Sequence, residues 1–450
     1  MATIAASTPN PLRRAAAAVA LAAFAAALLY LAVSAIYRWY VLLASVLPLG
    51  IAVLAAWYIV SRRGLTRAVA SVVAALALLV FAVVVVISEG LVVLLVGFGL
   101  AAISIAAASY ALETPAAGGA AKPAPPARHP VLLMNPRSGG GKAERFRLAE
   151  LCRQGGIEAV MLQPGDDLRQ LAEAAVARGA DVLGMAGGDG SQALVASIAS
   201  RHGIPFVVVP AGTRNHFALD LGLDRDDVPG ALDAYHDGVD IKIDLAEVNG
   251  RLFVNNAAMG VYAKIVKSAD YRDAKLQTAA AMLPDMLGPT ATPLDLRFTM
   301  PSGQQEETAQ LLLVSNNPYQ LARLRGGGTR ERIDGGALGV VFLRVETAAD
   351  AEKLEMLEAA GRVQRFASWN EWTTTEFDVH SAGPVEVGID GEALTLRPPL
   401  HFVIRPGALT VRLPRRAPRR SPAARIVRVM AKSTLIALWQ TVLGRPTRTP

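Results

Sequence analysis

The sequence predicts an α/β protein: four apolar transmembrane helices, then a two-domain body made of a doubly wound parallel-sheet domain and a β-sandwich. Three observations carry this expectation. Residues 15–112 are almost entirely apolar, whereas everything after Ala121 mixes charge with hydrophobes. Short apolar strands alternate with helices from Val131 to Val209, the pattern of βαβ units and a parallel sheet. Beyond about residue 240 strand-like runs dominate, and only 349–363 is clearly helical.

The apolar stretches 15–37, 39–60, 67–87 and 91–112 each reach the roughly 20 residues that a helix needs to cross a bilayer. Arg13 and Arg14 before an Ala/Leu run would also suit a signal peptide, but three more spans follow and the first is long for an h-region. Arg13, Arg14, Arg62, Arg63 and Arg67 flank one side of the spans, and the other side carries only Arg38 and Glu89. Positive loops stay cytoplasmic, and an even number of spans brings the chain back to that side. The expectation is a multi-pass protein of a bacterial-type inner membrane with its body in the cytoplasm. The lone Cys152 excludes an internal disulfide framework and fits a reducing compartment.

The net charge of +7 is unevenly spread. Nine cations and no acids follow Leu413, which leaves the rest of the chain near −2. The run Arg415–Arg420 suits an anionic membrane surface, at about 1 kcal/mol per cation. Arg425, Arg428 and Lys432 then share a helical stripe, with Ile426, Val427, Leu435, Leu438 and Trp439 around them. Either an interfacial helix or a disordered basic tail fits 414–450. The basic balance belongs to this tail, and nucleic acid is not among the expected partners; a homo-oligomer remains open.

Between the spans and the body, 113–130 is rich in Ala, Pro and Gly and reads as a linker. Strands at Val131–Asn135, Ile157–Leu162, Asp181–Ala186 and Pro205–Val209 alternate with helices near 143–154, 167–178 and 192–202. They form an expected α/β domain over 131–240, completed by a last strand within 397–413. Asn249-Gly250 between Ile241–Val248 and Arg251–Asn255 has the form of a type I′ hairpin, and opens a β-rich domain over 241–396.

Three turns follow successive strands of the first domain. Asn135-Pro136-Arg137-Ser138-Gly139-Gly140-Gly141-Lys142 opens a helix, a place where backbone N–H groups and the helix dipole cradle phosphate. It is not a Walker A loop, since Pro136 stands where that pattern needs glycine and Ala143 replaces its Ser/Thr. Gly187-Gly188-Asp189-Gly190-Ser191 is the second turn. Its glycines permit close phosphate approach, Asp189 could position magnesium or a nucleotide hydroxyl, and Ser191 is equally read as a helix N-cap. The third is Pro210-Ala211-Gly212-Thr213-Arg214-Asn215. Each is weak alone, but all three fall at the C-terminal edge of one parallel sheet, where open α/β folds bind ligands.

In these motifs the sequence resembles the diacylglycerol kinase catalytic-domain family, which includes sphingosine and ceramide kinases and bacterial lipid kinases. The resemblance runs over about residues 131–413, through Asn135-Pro136-x-Ser138-Gly139, Gly187–Ser191 and Pro210-x-Gly212-Thr213-x-Asn215-x-Phe217-Ala218. Asp244, Phe253-x-Asn255, Gly260, Asp334-Gly335 and Asp390-Gly391-Glu392 extend it. It implies transfer of phosphate from ATP to a hydroxyl of a diacylglycerol-like membrane lipid. It implies that Asn135, Pro136, Arg137, Ser138, Gly139, Gly187, Gly188, Asp189, Gly190, Ser191 and Thr213 hold the nucleotide. It gives Glu392, supported by Asp390, the role of base. It also implies a structural Mg2+ held by Glu331, Asp334 and the carbonyl of Gly336, an oxygen set that suits such a cation. Read without the resemblance, Asp390-Gly391 is a plain hairpin turn and Glu331 a solvated charge between Arg330 and Arg332.

The sequence departs from the family where Gly-Gly-Asp-Gly usually continues Thr-x-Asn-Glu: here Ser191, Ala193 and Leu194 occupy those positions. These changes support a competing reading, a regulatory protein on a kinase scaffold; an NAD-kinase-like enzyme is a second, since the resemblance in the Gly-Gly-Asp-Gly loop extends to NAD kinases. Lipid selectivity is expected partly from 262–290.

Overall fold

The computed structural model describes residues 9–37, 39–61, 65–87, 90–112, 122–260, 294–321, 328–419, 421 and 432–445. The chain divides into two compact units, Met1–Glu113 with Ile426–Pro450, and Thr114–Arg425. The 262–290 segment, Arg38, Arg62, Arg63, Glu89, Arg420, Arg425, Ile426, Val427 and Arg428 lie outside the described residues.

The first unit holds α1 (Pro11–Tyr37), α2 (Trp39–Ser61), α3 (Leu65–Ile87) and α4 (Gly90–Ala111). Pro11 opens α1, where its missing N–H costs nothing, and the Asn10 side chain accepts the N–H of Arg13 at 2.8 Å. Among the described residues three stretches are long and apolar enough to cross a membrane: Pro11–Tyr37, Thr66–Val84 and Val92–Ala111. In α2 the described apolar run, Val46–Ile59, is shorter and contains Pro48. Small residues let α1 and α4 approach closely: Ala17, Ala20 and Ala108 are fully buried, and Ser104 Oγ donates to the Ala20 carbonyl at 2.9 Å. A C-terminal helix, Lys432–Val442, belongs to this unit as well. Its Leu438 joins the same cluster, and Arg14 Nε donates to the Val442 carbonyl at 3.1 Å. Helix C-termini present such unpaired carbonyls, and a cation suits them.

In the second unit the parallel strands β2 (Pro130–Met134), β3 (Glu158–Met161), β4 (Val182–Ala186) and β5 (Phe206–Val209) line up in the order β5-β4-β2-β3. Alternation along each strand sends side chains to opposite faces. Val131, Leu133, Leu183 and Met185 pack with Ala172 of α7 (Leu168–Ala177), Ile198 of α8 (Asp189–His202) and Phe217 of α9 (His216–Asp220). Leu132, Met134, Val182 and Val207 turn the other way, onto Leu148 and Cys152 of α6 (Leu148–Gln154) and onto Tyr235. Both faces are covered, as a parallel sheet requires.

Three local expectations are corrected. The helix expected near 143–154 is broken into α5 (Lys142–Arg145) and α6, because Arg147 adopts φ 49° between them. The helix after the second glycine turn starts at Asp189, with Gly188 as its N-cap, so Ser191 lies inside its first turn. The 113–130 segment is not all linker: Lys122–Pro123 forms β1, antiparallel to β6 (Gly238–Val248), and Asp181 accepts the N–H groups of Arg128 and His129.

The long antiparallel pair of β6 and β19 (Leu400–Pro414) belongs to both layers of the body. Its lower end extends the parallel sheet, with Val411 beside Phe206. Its upper end, joined by β7 (Arg251–Phe253) and β16 (Glu376–Val379), faces a six-stranded antiparallel sheet. That sheet contains β8 (Asn256–Gly260), β11 (Leu311–Asn316), β14 (Leu338–Leu343), β15 (Trp369–Thr374), β17 (Val385–Ile389) and β18 (Glu392–Leu396). Ala246, Phe377 and Phe402 meet Met259, Leu312, Val340 and Val387 in one core between them. The hairpin of β9 (Leu294–Thr299) and β10 (Gln305–Ala309) adds Leu296, Phe298 and Ala309 to that core, and β12 (Tyr319–Gln320) pairs antiparallel with β13 (Thr329–Arg330). The helix expected at 349–363 is α10 (Ala348–Ala359), started by a capping box between Thr347 and Asp350.

Two cations of the polybasic run are engaged within this unit. Arg415 pairs with Asp237 at 2.7 Å, and Arg416 with Asp227 and Asp233 at 3.2 and 3.1 Å.

Candidate active site

The three glycine turns leave the ends of β2, β4 and β5, so the parallel sheet sets them side by side. In the first, Asn135 donates its N–H to the Ala186 carbonyl at 3.0 Å, and its side-chain oxygen accepts the Arg137 N–H at 3.0 Å. This Asx turn carries the chain through Pro136 and Ser138. Gly139, Gly140 and Gly141 then take φ of 57°, 70° and 79°, a left-handed run that side chains rarely adopt.

Asp189 is a tie between turns. Its carboxylate accepts the N–H groups of His216 and Phe217 at 3.1 and 3.0 Å, capping α9. The third turn is held by Asn215, at φ 51°. It accepts the Gly212 N–H at 2.9 Å and donates to the carbonyls of Pro210 and Gly212 at 3.0 and 2.9 Å. Thr213, next to it, is exposed. Gln192, which no motif singled out, is fully buried and donates to the carbonyls of Gly187 and Val209, joining the ends of β4 and β5. Ala193 and Leu194, the departures from the family pattern, pack into the core beneath α8.

Close packing welds the turns together. A Cβ on Gly139 would collide with the carbonyl oxygens of Ala211 and Gly212, the latter at 2.8 Å. One on Gly212 would stand 2.5 Å from the Gly188 Cα and 3.0 Å from the Gly187 carbonyl. At Gly188 and Gly140, by contrast, a Cβ would meet nothing within 4 Å. The cradle is therefore tight beneath and open above, with the first N–H groups of α8 at its floor, as an anionic phosphate requires.

Glu392 arrives from the other sheet. Asp390 and Gly391, at φ 48° and 86°, form the two-residue turn between β17 and β18, and Ile389 pairs with Glu392 across it. The hairpin reading and the functional reading of this motif describe the same turn. It sets the Glu392 carboxylate on Gly190, where an added Cβ would lie 2.8 Å from Oε1. Glu392 Oε2 accepts from Arg251 Nη2 at 2.9 Å. Asp390 points inward instead. Its carboxylate accepts the N–H groups of Val254, Asn255 and Asn256 at 2.9, 2.8 and 3.2 Å. Burial pushes its pKa up to about 7, against the pull of those N–H groups and with a further push from Asp189.

A buried ion pair escaped the sequence reading. Arg330 and Asp220 expose no side-chain surface and meet at 2.6 Å. Arg330 also donates to the carbonyls of Val254 and Asn316 and to Asn255 Oδ1, and lies over the Tyr319 ring. It thereby joins α9, next to the third glycine turn, to the 254–255 segment that Asp390 holds. The available signal was Asp220, a lone acid in the apolar run Phe217–Leu223; Arg330 itself was masked by charged neighbours.

The loop expected to hold magnesium is tied to its surroundings by hydrogen bonds. Arg332 Nε donates to Asp334 Oδ1 at 2.9 Å, and the Gly336 N–H donates to Asp244 Oδ2 at 2.6 Å. Asp244 further accepts from Asn317 and from the Gly407 N–H. Among the described residues no group of three or more His, Cys, Asp or Glu side chains is placed to hold a metal. The expected set differs in kind: two carboxylates, Glu331 and Asp334, and one backbone carbonyl, Gly336.

Fold and site together define a mixed α/β protein with a glycine cradle faced by a carboxylate. Residues 129–248 match the model of the diacylglycerol kinase catalytic domain. A Pseudomonas aeruginosa protein named Probable lipid kinase YegS-like is 30% identical over 299 residues, covering 64% of this chain and 95% of that protein. A Mycobacterium tuberculosis protein named Diacylglycerol kinase is 31% identical over 208 residues, or 44% of this chain and 65% of that one. A solved Bacillus anthracis structure named for diacylglycerol kinase shares the fold, with a TM-score of 0.51 at 18% identity over 67% of this chain and 98% of that one. The chain belongs to the diacylglycerol kinase catalytic-domain family, a family of lipid kinases.

Proposed function

We propose that this protein uses ATP to phosphorylate a hydroxyl of diacylglycerol or a related membrane lipid. The observation that carries the reading is the Glu392 carboxylate lying on Gly190. It stands beside the N-terminus of α8, where a phosphate would be held, and so where an attacking hydroxyl must lose its proton. Phosphoryl transfer asks mainly for alignment and charge neutralisation, and the open glycine cradle supplies backbone donors for it. ATP would bring the phosphoryl group, with Mg2+ neutralising its charge.

In this reading Asn135–Gly139, Gly187–Ser191 and Thr213 receive the nucleotide, while Asp189 and Asn215 keep the turns in place. Glu392 takes the proton, and Asp390 holds the turn that presents it. The nucleotide side is 131–240 with 397–413, and 241–396 forms the lipid side. The long apolar helices of the first unit suit a substrate that stays in the bilayer. Four spans, a bacterial-type inner membrane and a cytoplasmic body complete the proposal.

The test is a lipid-panel assay with γ-labelled ATP and the full-length protein in mixed micelles. Label on diacylglycerol or another lipid alcohol is the expected result. Label on NAD and on no lipid would overturn it, as would the absence of both transfer and Mg-ATP-dependent thermal stabilisation.

A further inference from the structure

We propose that Arg251 is a positioning residue for the reaction, fixing which oxygen of Glu392 faces the glycine loop. This rests on the reading of Glu392 as the base. The two carboxylate oxygens are divided between two partners. Oε2 accepts from the Arg251 guanidinium at 2.9 Å, whereas Oε1 is the oxygen over Gly190. Without the guanidinium, a glutamate side chain at a strand end has free rotamers that carry its carboxylate away from the loop.

Arg251 is well placed to act as the fixed point. Asn249 and Gly250, at φ 47° and 82°, form the turn before it, and Arg251 pairs with Val248 across that turn. The Asn249 side chain donates to the carbonyls of Arg397 and Pro399 at 3.3 and 3.0 Å and accepts the His401 N–H at 2.8 Å. On the other side, the N–H groups of Val254, Asn255 and Asn256 are held by Asp390, two residues before Glu392. The backbones that carry the two side chains are therefore locked to each other, and the ion pair sets only the last few torsions. With 43% and 48% of the two side chains exposed, the pair adds little to fold stability. Its contribution is geometric, and the guanidinium fork fixes a carboxylate's orientation better than an ammonium does.

The experiment uses the full-length protein with Mg-ATP and diacylglycerol in mixed micelles. R251A should lower kcat by roughly 10- to 100-fold, the scale of a small misplacement of a reacting group, with KM for ATP changed by less than about threefold. Its melting temperature should stay close to wild type. R251K should recover part of the rate, and millimolar ethylguanidinium should restore activity to R251A and not to E392Q. In the E392Q background R251A should cost nothing more, since it acts through the residue already removed. An R251A enzyme at the wild-type rate beside an inactive E392Q would overturn the inference alone, as would a further loss in the double variant. E392Q at the wild-type rate would instead remove the base on which the inference stands.

Discussion

Asp220 and Arg330 meet at 2.6 Å with neither side chain exposed, and their pair joins α9, which Asp189 caps, to the segment that Asp390 holds. Removing one member leaves an uncompensated buried charge. R330M should therefore destabilise the protein by about 3–5 kcal/mol, or prevent folding. Thermal or denaturant unfolding in detergent, followed on the body's near-UV signal, checks this. A loss below about 1 kcal/mol, the scale of a surface pair, would contradict it.

The glycine cradle separates folding from binding. G212A forces a Cβ against the backbone of Gly188, so it should cost about 1–3 kcal/mol of stability. Gly188 has extended φ and open space above it, so G188A should fold normally. Its methyl group would occupy the room proposed for phosphate, and Mg-ATP should no longer raise its melting temperature. Equal nucleotide-induced shifts in wild type and G188A would argue against a phosphate at that position.

Asp390 gives a pH signature. Its pKa of about 7 in the fold lies well above the usual 3.8, so the folded state holds a proton that the unfolded chain has lost between those values. The stabilisation linked to that proton is complete below about pH 4 and is lost as pH rises through 7, with a slope of at most about 1.4 kcal/mol per pH unit. D390N removes the titration and leaves one of three backbone N–H groups facing an amide donor, at a constant cost of about 1–3 kcal/mol. Melting temperatures between pH 5 and 8 should show the advantage of wild type over D390N shrinking as pH rises. Parallel profiles would contradict the assignment.

Cys152 is fully buried in α6, and burial pushes its pKa up to about 11. The thiolate is the reactive form, so the folded protein should resist alkylation at pH 8 and react once unfolded. Rapid labelling of the native protein would contradict this placement.

Much of this arrangement was legible where local chemistry decides it. Strands followed by glycine turns predicted a parallel sheet with those turns at one edge, and Asn249-Gly250 adopted the left-handed pair expected of a hairpin. The Asp390–Glu392 motif was readable as a turn or as a site; it forms the turn, and that turn sets Glu392 against Gly190. Non-local pairing was what escaped. Arg330 among charged neighbours looks solvated, and only the fold brings Asp220 to it from 110 residues away. Arg251 likewise reads as an ordinary hairpin residue until the second sheet delivers Glu392 across 141 residues. Arg415 and Arg416 also pair with aspartates remote in sequence, which a polybasic run does not announce. Composition marked 113–130 as linker, although β6 recruits Lys122–Pro123 as an edge strand.

The most direct test of Glu392 as the base is the rate at which full-length protein and E392Q transfer the γ-phosphate of ATP to diacylglycerol in mixed micelles. Loss of a general base typically costs 10²–10⁴-fold, so E392Q should fall by at least about 100-fold while keeping its Mg-ATP-induced rise in melting temperature. Transfer by E392Q at the wild-type rate would contradict the account.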